Sequence, residues 1–172
     1  QGVLQKGRGI KPMIDIIKNT SETVAVIIGD GEQKTHYIKY MNNYNLHHRI
    51  FFMPKIPYNR LLQITASADV GIALIKPRGL SYNYALPNKL FEYAMAGIPC
   101  LASNLPNMEH YVKKHCLGET VDPNNLTEQL LALEKLIGNN KQSYLLTNKE
   151  KIKISWEGQQ RLFCRAVFGY EK

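Results

Sequence analysis

Three short polar clusters carry the residue types that hold an anionic ligand: Lys6-Gly7-Arg8-Gly9, Gly29-Asp30-Gly31, and the loop from Tyr82 to Lys89. Each falls just after a stretch that reads as a β-strand. In the first, glycines let backbone approach a ligand closely and an arginine can fork onto phosphate oxygens. The same residues also make an ordinary basic surface turn. Gly29-Asp30-Gly31 is a tight turn at a helix start, without the spacing of a dinucleotide fingerprint or a phosphate-binding Walker loop. From the end of the third cluster into the next helix, Asn88 and Glu92 stand four apart on one helix face, where Glu92 is close enough to the strand ends to accept hydrogen bonds from a ribose. A surface ion pair between Glu92 and Lys89, worth tenths of a kcal/mol, would account for the same residues.

Other chemistries find no support in the residue pattern. His36, His47, His48, His110 and His115 form no pair at metal-ligand spacing, and the aspartates make no cluster, so neither a metal site nor a cofactor is expected. No Ser-His-Asp arrangement, nucleophile elbow or reactive-cysteine environment is visible. An enzyme built from these residues works mainly by holding charge. Cys100, Cys116 and Cys164 are odd in number and widely spaced, which fits reduced thiols in a cytoplasmic protein. The formal charge of +8 suits nucleic acid, an acidic membrane surface or phosphorylated small molecules. Much of that charge lies in Lys149, Lys151, Lys153, Arg161 and Arg165, where a solvated helix face explains it equally well.

Elements that position these clusters follow from periodicity. The chain has 172 residues, 44% of them hydrophobic, enough to bury the core of one domain. It has no apolar run near the roughly 18 residues of a membrane span and no signal-peptide pattern. Gly2–Leu4 reads as a short strand, followed by a helix to about Asn19. The continuously apolar Thr23–Ile28 reads as a parallel strand covered on both faces. A helix over Thr35–Tyr44, a strand over Arg49–Phe52, a helix over Asn59–Ala68 and a strand over Val70–Ile75 come next, and Lys76–Ala85 reads as irregular. Pro87 suits a first helical position, Gly97 the left-handed position after the last turn, and Leu90, Phe91, Ala94 and Met95 the buried face of a helix roughly ten residues long. A strand over Ile98–Ala102, a helix over Pro106–Lys114, a strand over Glu119–Val121 and a leucine-rich helix from Pro123 to Leu136 follow. After a break at Gly138–Gln142, a helical tail over 144–172 is interrupted before Trp156. About six alternations of strand and helix predict a doubly wound, Rossmann-like parallel α/β sheet with helices on both faces. Ligands sit at the carboxyl ends of such strands, which is where all three clusters fall.

Gly7-Arg8-Gly9, Ile28-Gly29-Asp30-Gly31, and above all Pro87-Asn88-Lys89-Leu90-Phe91-Glu92-Tyr93 running into Ala96-Gly97-Ile98-Pro99 carry a family resemblance. The chain resembles the C-terminal, nucleotide-sugar-binding domain of two-domain (GT-B) glycosyltransferases of the group 1 family, over nearly its whole length. The resemblance implies that Glu92 bonds the nucleotide ribose. The family usually carries a second, upstream glutamate near the donor sugar, and here that position is Tyr84. A phenol offers one hydroxyl where a carboxylate offers two acceptors, so Asn83, Tyr84 and Leu86 are the candidates for the sugar. For the diphosphate, where the family commonly carries a spaced arginine and lysine, Arg8 and Lys6 are the substitutes here, with Lys89 in reserve, and Gly7, Gly29, Asp30, Gly31, Asn88 and Leu90 are further candidates for the nucleotide. Lys55 and Ile56 match the turn that lines the base, with Leu61 on the next helix. Ser155-Trp156-Glu157 resembles the start of the terminal helix that crosses back to the other domain.

The implied function is transfer of a sugar from a nucleotide diphosphate to a glycan or lipid-linked acceptor, retaining and metal-independent. Residues 1–172 would form one donor-binding domain, and the opening Gln1-Gly2-Val3-Leu4, which reads as the middle or end of a strand, predicts a missing N-terminal acceptor domain. Alone, the chain is expected to bind nucleotide weakly and catalyse nothing. Peripheral contact with the inner face of a membrane is compatible with the basic tail, and nucleic acid is not expected as a partner. An epimerase of the same fold, and a non-catalytic module that binds polyanions or a membrane surface, are the alternative readings.

Overall fold

A computed structural model describes residues 1–138, 144 and 146–169. Of the expected break at Gly138–Gln142 only Gly138 is described, and positions 145 and 170–172 of the expected tail also lie outside the described residues. Strands β1 (Ala25–Ile28) and β2 (Ile50–Met53) pair in parallel, Ala25 opposite Ile50. Strands β3 (Gly71–Ala73), β4 (Cys100–Ser103) and β5 (Gly118–Val121) form a second parallel set with β4 in the middle. The helices are α1 (Ile10–Lys18), α2 (Lys34–Asn42), α3 (Tyr58–Ala66), α4 (Leu80–Asn83), α5 (Asn88–Ala96), α6 (Pro106–Lys114), α7 (Leu126–Gly138), α8 (Asn148–Ile154) and α9 (Trp156–Phe168).

Five strands, rather than about six, are present among the described residues. The expected first strand, Gly2–Leu4, runs beside the end of β1, where the Gly2 and Leu4 N–H groups donate to the Ile28 and Asp30 carbonyls at 2.9 Å, but it is not a strand. Three residues further on, Gly7 accepts from the Lys76 N–H at 3.0 Å, just past β3. The segment thus ties the two sets of strands together.

Side chains alternate across a strand, so β3 and β4 supply two cores from one apolar sequence. On one face Ala73, Ile75, Cys100 and Ala102 pack with Leu90, Tyr93 and Ala94 of α5 and with Met108 and Val112 of α6. On the other, Leu74 and Leu101 pack with Ile16 of α1 and with Leu133 and Leu136 of α7. Around β1 and β2 the arrangement is one-sided. Ala25, Ile27 and Ile50 pack against α1 and α2, whereas Val24, Val26 and Phe51 are exposed. Thr23–Ile28 is therefore not covered on both faces as expected, because α3 turns away to lie against α5.

Other elements sit close to their expected bounds, with local corrections. Lys76–Ala85 is not wholly irregular, since Leu80–Asn83 forms the one-turn α4. Pro87 takes the extended conformation of an N-cap rather than the first helical position, and Gly97 ends α5 at φ 74°. The buried face of α5 is Leu90, Tyr93 and Ala94, with Phe91 half-buried and Met95 exposed. Tyr93 belongs inside because its hydroxyl donates to the Ile72 carbonyl at 3.1 Å. The expected interruption before Trp156 is a cap, for Ser155 ends α8 and starts α9, its Oγ accepting from the Gly158 N–H at 3.4 Å.

Leu101, wholly buried in the central strand, tests the two-sided core. Leu101→Ala should cost about 2–5 kcal/mol of stability, seen as a lower denaturant midpoint at unchanged slope. A loss under about 1 kcal/mol would mean that the α1–α7 layer does not pack on β4.

Candidate functional site

The site is built on the start of α5 and the two loops that face it. No side chain caps the first turn of α5, so its free N–H groups and the positive end of the helix dipole are open to an anion. Arg8 approaches from the loop before α1, its guanidinium carbon 5.4 Å from the centre of the Tyr82 ring. Its Nε is buried and lacks a hydrogen-bond partner, as does the Oδ1 of Asn83. A buried donor and a buried acceptor left unpaired each cost about 1–3 kcal/mol, so both atoms are suited to groups that a ligand brings.

Arg8 and Lys89 feel each other. Burial first, and then the field of Arg8, lower the ammonium of Lys89 to about 8, against an opposing pull from Glu92. Two cations held at partial burial beside an uncapped helix make a site that attracts a dianion. Glu92, one turn further on, does not form the alternative ion pair with Lys89 among the described residues. It accepts instead from the side-chain amide of Gln1, whose Oε1 lies 2.8 Å from the Thr65 hydroxyl. Its carboxylate therefore stands half-buried at the edge of a cleft of about 420 Å³, walled by Tyr58, Phe91, Met95 and the Ile154–Trp156 elbow, with Asn88 at the same edge.

The remaining expected residues divide. Gly7 lies against Arg78 and Tyr82, and a Cβ there would come within 2.7 Å of the Arg78 side chain. Tyr84 and Leu86 are exposed, and the Tyr84 carbonyl accepts from Asn107 Nδ2 at 2.7 Å, which anchors the loop and leaves the phenol outward. Leu90 needs correction as a nucleotide contact. Its side chain is wholly buried in the α5–α6 core, and its N–H donates to the Pro87 carbonyl at 3.1 Å. Gly29 and Gly31 have a packing reason, since a Cβ would fall 1.9 Å from the Gly2 carbonyl oxygen at the first and 2.6 Å from that of Leu4 at the second. Asp30 is exposed, accepts from the Gly31 N–H at 2.9 Å and lies 3.8 Å from the Lys34 ammonium. Lys6 and Lys55 are exposed, Ile56 and Leu61 half-buried. Among the described residues no hydrogen bond, ion pair or ring contact joins Lys6, Asp30 or Lys55 to the Arg8–Lys89 cluster.

Arg78 and Tyr58 are not among the residues expected from the sequence, and Trp156 is named there only as part of a terminal helix start, with no role in the site. Arg78 carries a signal, as a cation between Pro77 and Gly79 after a strand end. Among the described residues no group of three His, Cys, Asp or Glu side chains could hold a metal ion, and no helix is long and apolar enough to cross a membrane.

The family model described as glycosyl transferases group 1 matches residues 2–152. A comparison with curated protein sequences gives no match. Solved structures are similar at low identity. HepE of Anabaena, in complex with UDP, is 15% identical over 97% of this chain and 48% of that one, with a TM-score of 0.74. WaaG, a glycosyltransferase involved in lipopolysaccharide biosynthesis, is 13% identical over 99% and 47%, with a TM-score of 0.71. The C-terminal domain of LpcC, a glycosyl transferase group 1 family protein from Francisella tularensis, is 18% identical over 88% and 80%, with a TM-score of 0.65. At these identities the likeness establishes the fold, and the Rossmann-like α/β class expected from the sequence holds. The chain spans about half the length of the first solved structures it matches.

Lys89 offers a test of the site's electrostatics. Below about pH 8 the folded protein keeps a charge where burial and Arg8 disfavour it. From there up to the unfolded value near ~10.4 the unfolded state binds more protons, so stability rises with pH. Lys89→Met should therefore stabilise the fold at neutral pH by about 1–2 kcal/mol, less than the full shift because the side chain keeps some contact with water. That gain should fade as the pH approaches ~10.4. Thermal melts of the two proteins across this range check it, and coincident curves at neutral pH would show that the ammonium is not strained.

Proposed function

Because the chain belongs to the glycosyl transferases group 1 family, we propose that it is the donor-binding half of an enzyme that moves a sugar from a nucleotide diphosphate to a hydroxyl of a glycan or lipid-linked acceptor, with retention and without a metal. Comparable solved chains are about twice as long, and the half outside these residues would hold the acceptor. The observation that carries this reading is the Arg8–Lys89 pair at the uncapped start of α5.

As the bond from the sugar to the diphosphate breaks, its electron pair leaves with the phosphate oxygen. Negative charge then grows where Arg8, Lys89 and the first-turn N–H groups near Asn88 converge. Preorganised donors of this kind are worth about 2.7–4 kcal/mol each when charge develops on them. Glu92 takes the ribose hydroxyls, giving up the Gln1 amide, and the unpaired Asn83 Oδ1 takes a hydroxyl of the sugar. Tyr84 and Leu86 border that sugar, while Ile56 and Leu61 border the base. Lys6 and Lys55 act at most through long-range attraction.

In the complete enzyme, Arg8→Ala and Glu92→Ala should each lower turnover or donor affinity by about tenfold or more while the fold stays intact. Wild-type kinetics in both would overturn the assignment. Release of free nucleotide with no acceptor consumed would identify an epimerase instead. HepE was solved with UDP, so UDP is the first nucleotide to titrate.

A further inference from the structure

Large aromatic side chains gain by leaving water, yet two of them stand more than half exposed on the walls of the same cleft: Tyr58 at 64% and Trp156 at 57%. They come from two separate elements. Tyr58 opens α3, and Trp156 opens α9. Glu92 and Asn88, polar groups of α5, line the same cleft. A cleft of about 420 Å³ falls within the roughly 300–1,000 Å³ of small-molecule sites. It combines aromatic walls with a carboxylate edge, which matches a ligand that is flat at one end and bears hydroxyls at the other.

Trp156 is held there by its own supports. The Lys151 ammonium donates to the Met95 carbonyl at 3.3 Å, which ties α8 to the end of α5. Thr147 and Glu150 close a capping box at the start of α8, Ser155 caps α9, and Phe163 backs the indole with ring centres 5.5 Å apart. The spacing along α5 follows the order of a nucleotide. From the open first turn at Asn88 to Glu92 is about 6 Å of helix, and Met95 lies about 4–5 Å beyond.

We propose that Tyr58 and Trp156 form an aromatic clamp for the nucleobase of the donor, so that the C-terminal elbow is part of the nucleotide site. The clamp rests on the donor-site reading given above, and it adds to the site two residues distant from the glycine-rich loops. Stacking uses the face that every base presents, so the clamp supplies affinity more than choice of base.

Trp156 is the single tryptophan of the chain, so its emission reports on the clamp directly. The 172-residue chain should be titrated with UDP, ADP and GDP, with inorganic pyrophosphate as the base-free control, following both heat and tryptophan fluorescence. Whichever nucleoside diphosphate binds should change the Trp156 emission in step with the heat, and pyrophosphate should bind without that change. Tyr58→Leu and Trp156→Leu should each weaken that nucleotide by roughly tenfold, as expected when one stacking partner is lost, while Tyr58→Phe and Trp156→Phe, which keep a ring, should retain most of the affinity. Heat without any change in emission overturns the clamp and leaves the donor site standing, as does wild-type affinity in either leucine variant. Neither heat nor a change in emission with any of the three nucleotides, at concentrations high enough to detect weak binding, overturns the donor-site reading and the clamp with it. Should a leucine variant fail to fold, the emission of the unaltered chain and the phenylalanine variants decide the matter.

Discussion

Tyr93 lies where a side chain at position 71 would have to be. A Cβ on Gly71 would meet the Tyr93 ring at 2.4 Å, and the hydroxyl of the same ring donates to the Ile72 carbonyl. One residue thus fixes both the distance of α5 from β3 and its rotation about its own axis. Each residue of a helix turns the face by a fixed angle, so seating Tyr93 inward places Glu92 at the cleft and Lys89 beside Arg8. The chemistry of the site is the outward consequence of that inward contact.

Charge is arranged around this fixed helix rather than paired off. The ion pairs among the described residues, Lys11–Asp15, Lys34–Asp30, Lys113–Glu109 and Lys135–Glu119, all involve partly or largely exposed side chains. Such pairs contribute little to stability. The candidate site keeps Arg8 and Lys89 within reach of each other's field, and its carboxylate, Glu92, accepts from an amide. A fold that leaves its like charges together and its helix uncapped gives up stability at the place where a ligand would restore it.

Much of this was legible in the sequence, for physical reasons that differ by element. The apolar runs at 70–75 and 98–102 and the helix punctuated by Pro87 and Gly97 depend on local pattern, and they appear within a residue or two of where periodicity puts them. The rotation of α5 was misread, with Met95 expected inside in place of Tyr93, because periodicity cannot tell a tyrosine that finds a buried carbonyl from one that faces water. The open outer face of β1 and β2 was also missed, since Val24, Val26 and Phe51 have the composition of a core strand and only the path of α3 uncovers them. Gly29 and Gly31 read as ligand-binding glycines and turn out to have a packing reason in the neighbouring Gly2–Leu4 backbone. Tyr58 gave no sequence signal, and Trp156 stood only in the likeness of Ser155-Trp156-Glu157 to a terminal helix start, because their shared cleft exists only once α8 has docked on the end of α5.

The ammonium of Lys89 has one more consequence. With its proton held less tightly than usual, a small share of molecules near neutral pH carries the neutral amine. An arriving dianion favours the charged form, so occupancy of the site and protonation of Lys89 are one linked equilibrium. Binding of the proposed diphosphate would then draw a fraction of a proton from solution, and its heat would depend on the ionisation enthalpy of the buffer that supplies it.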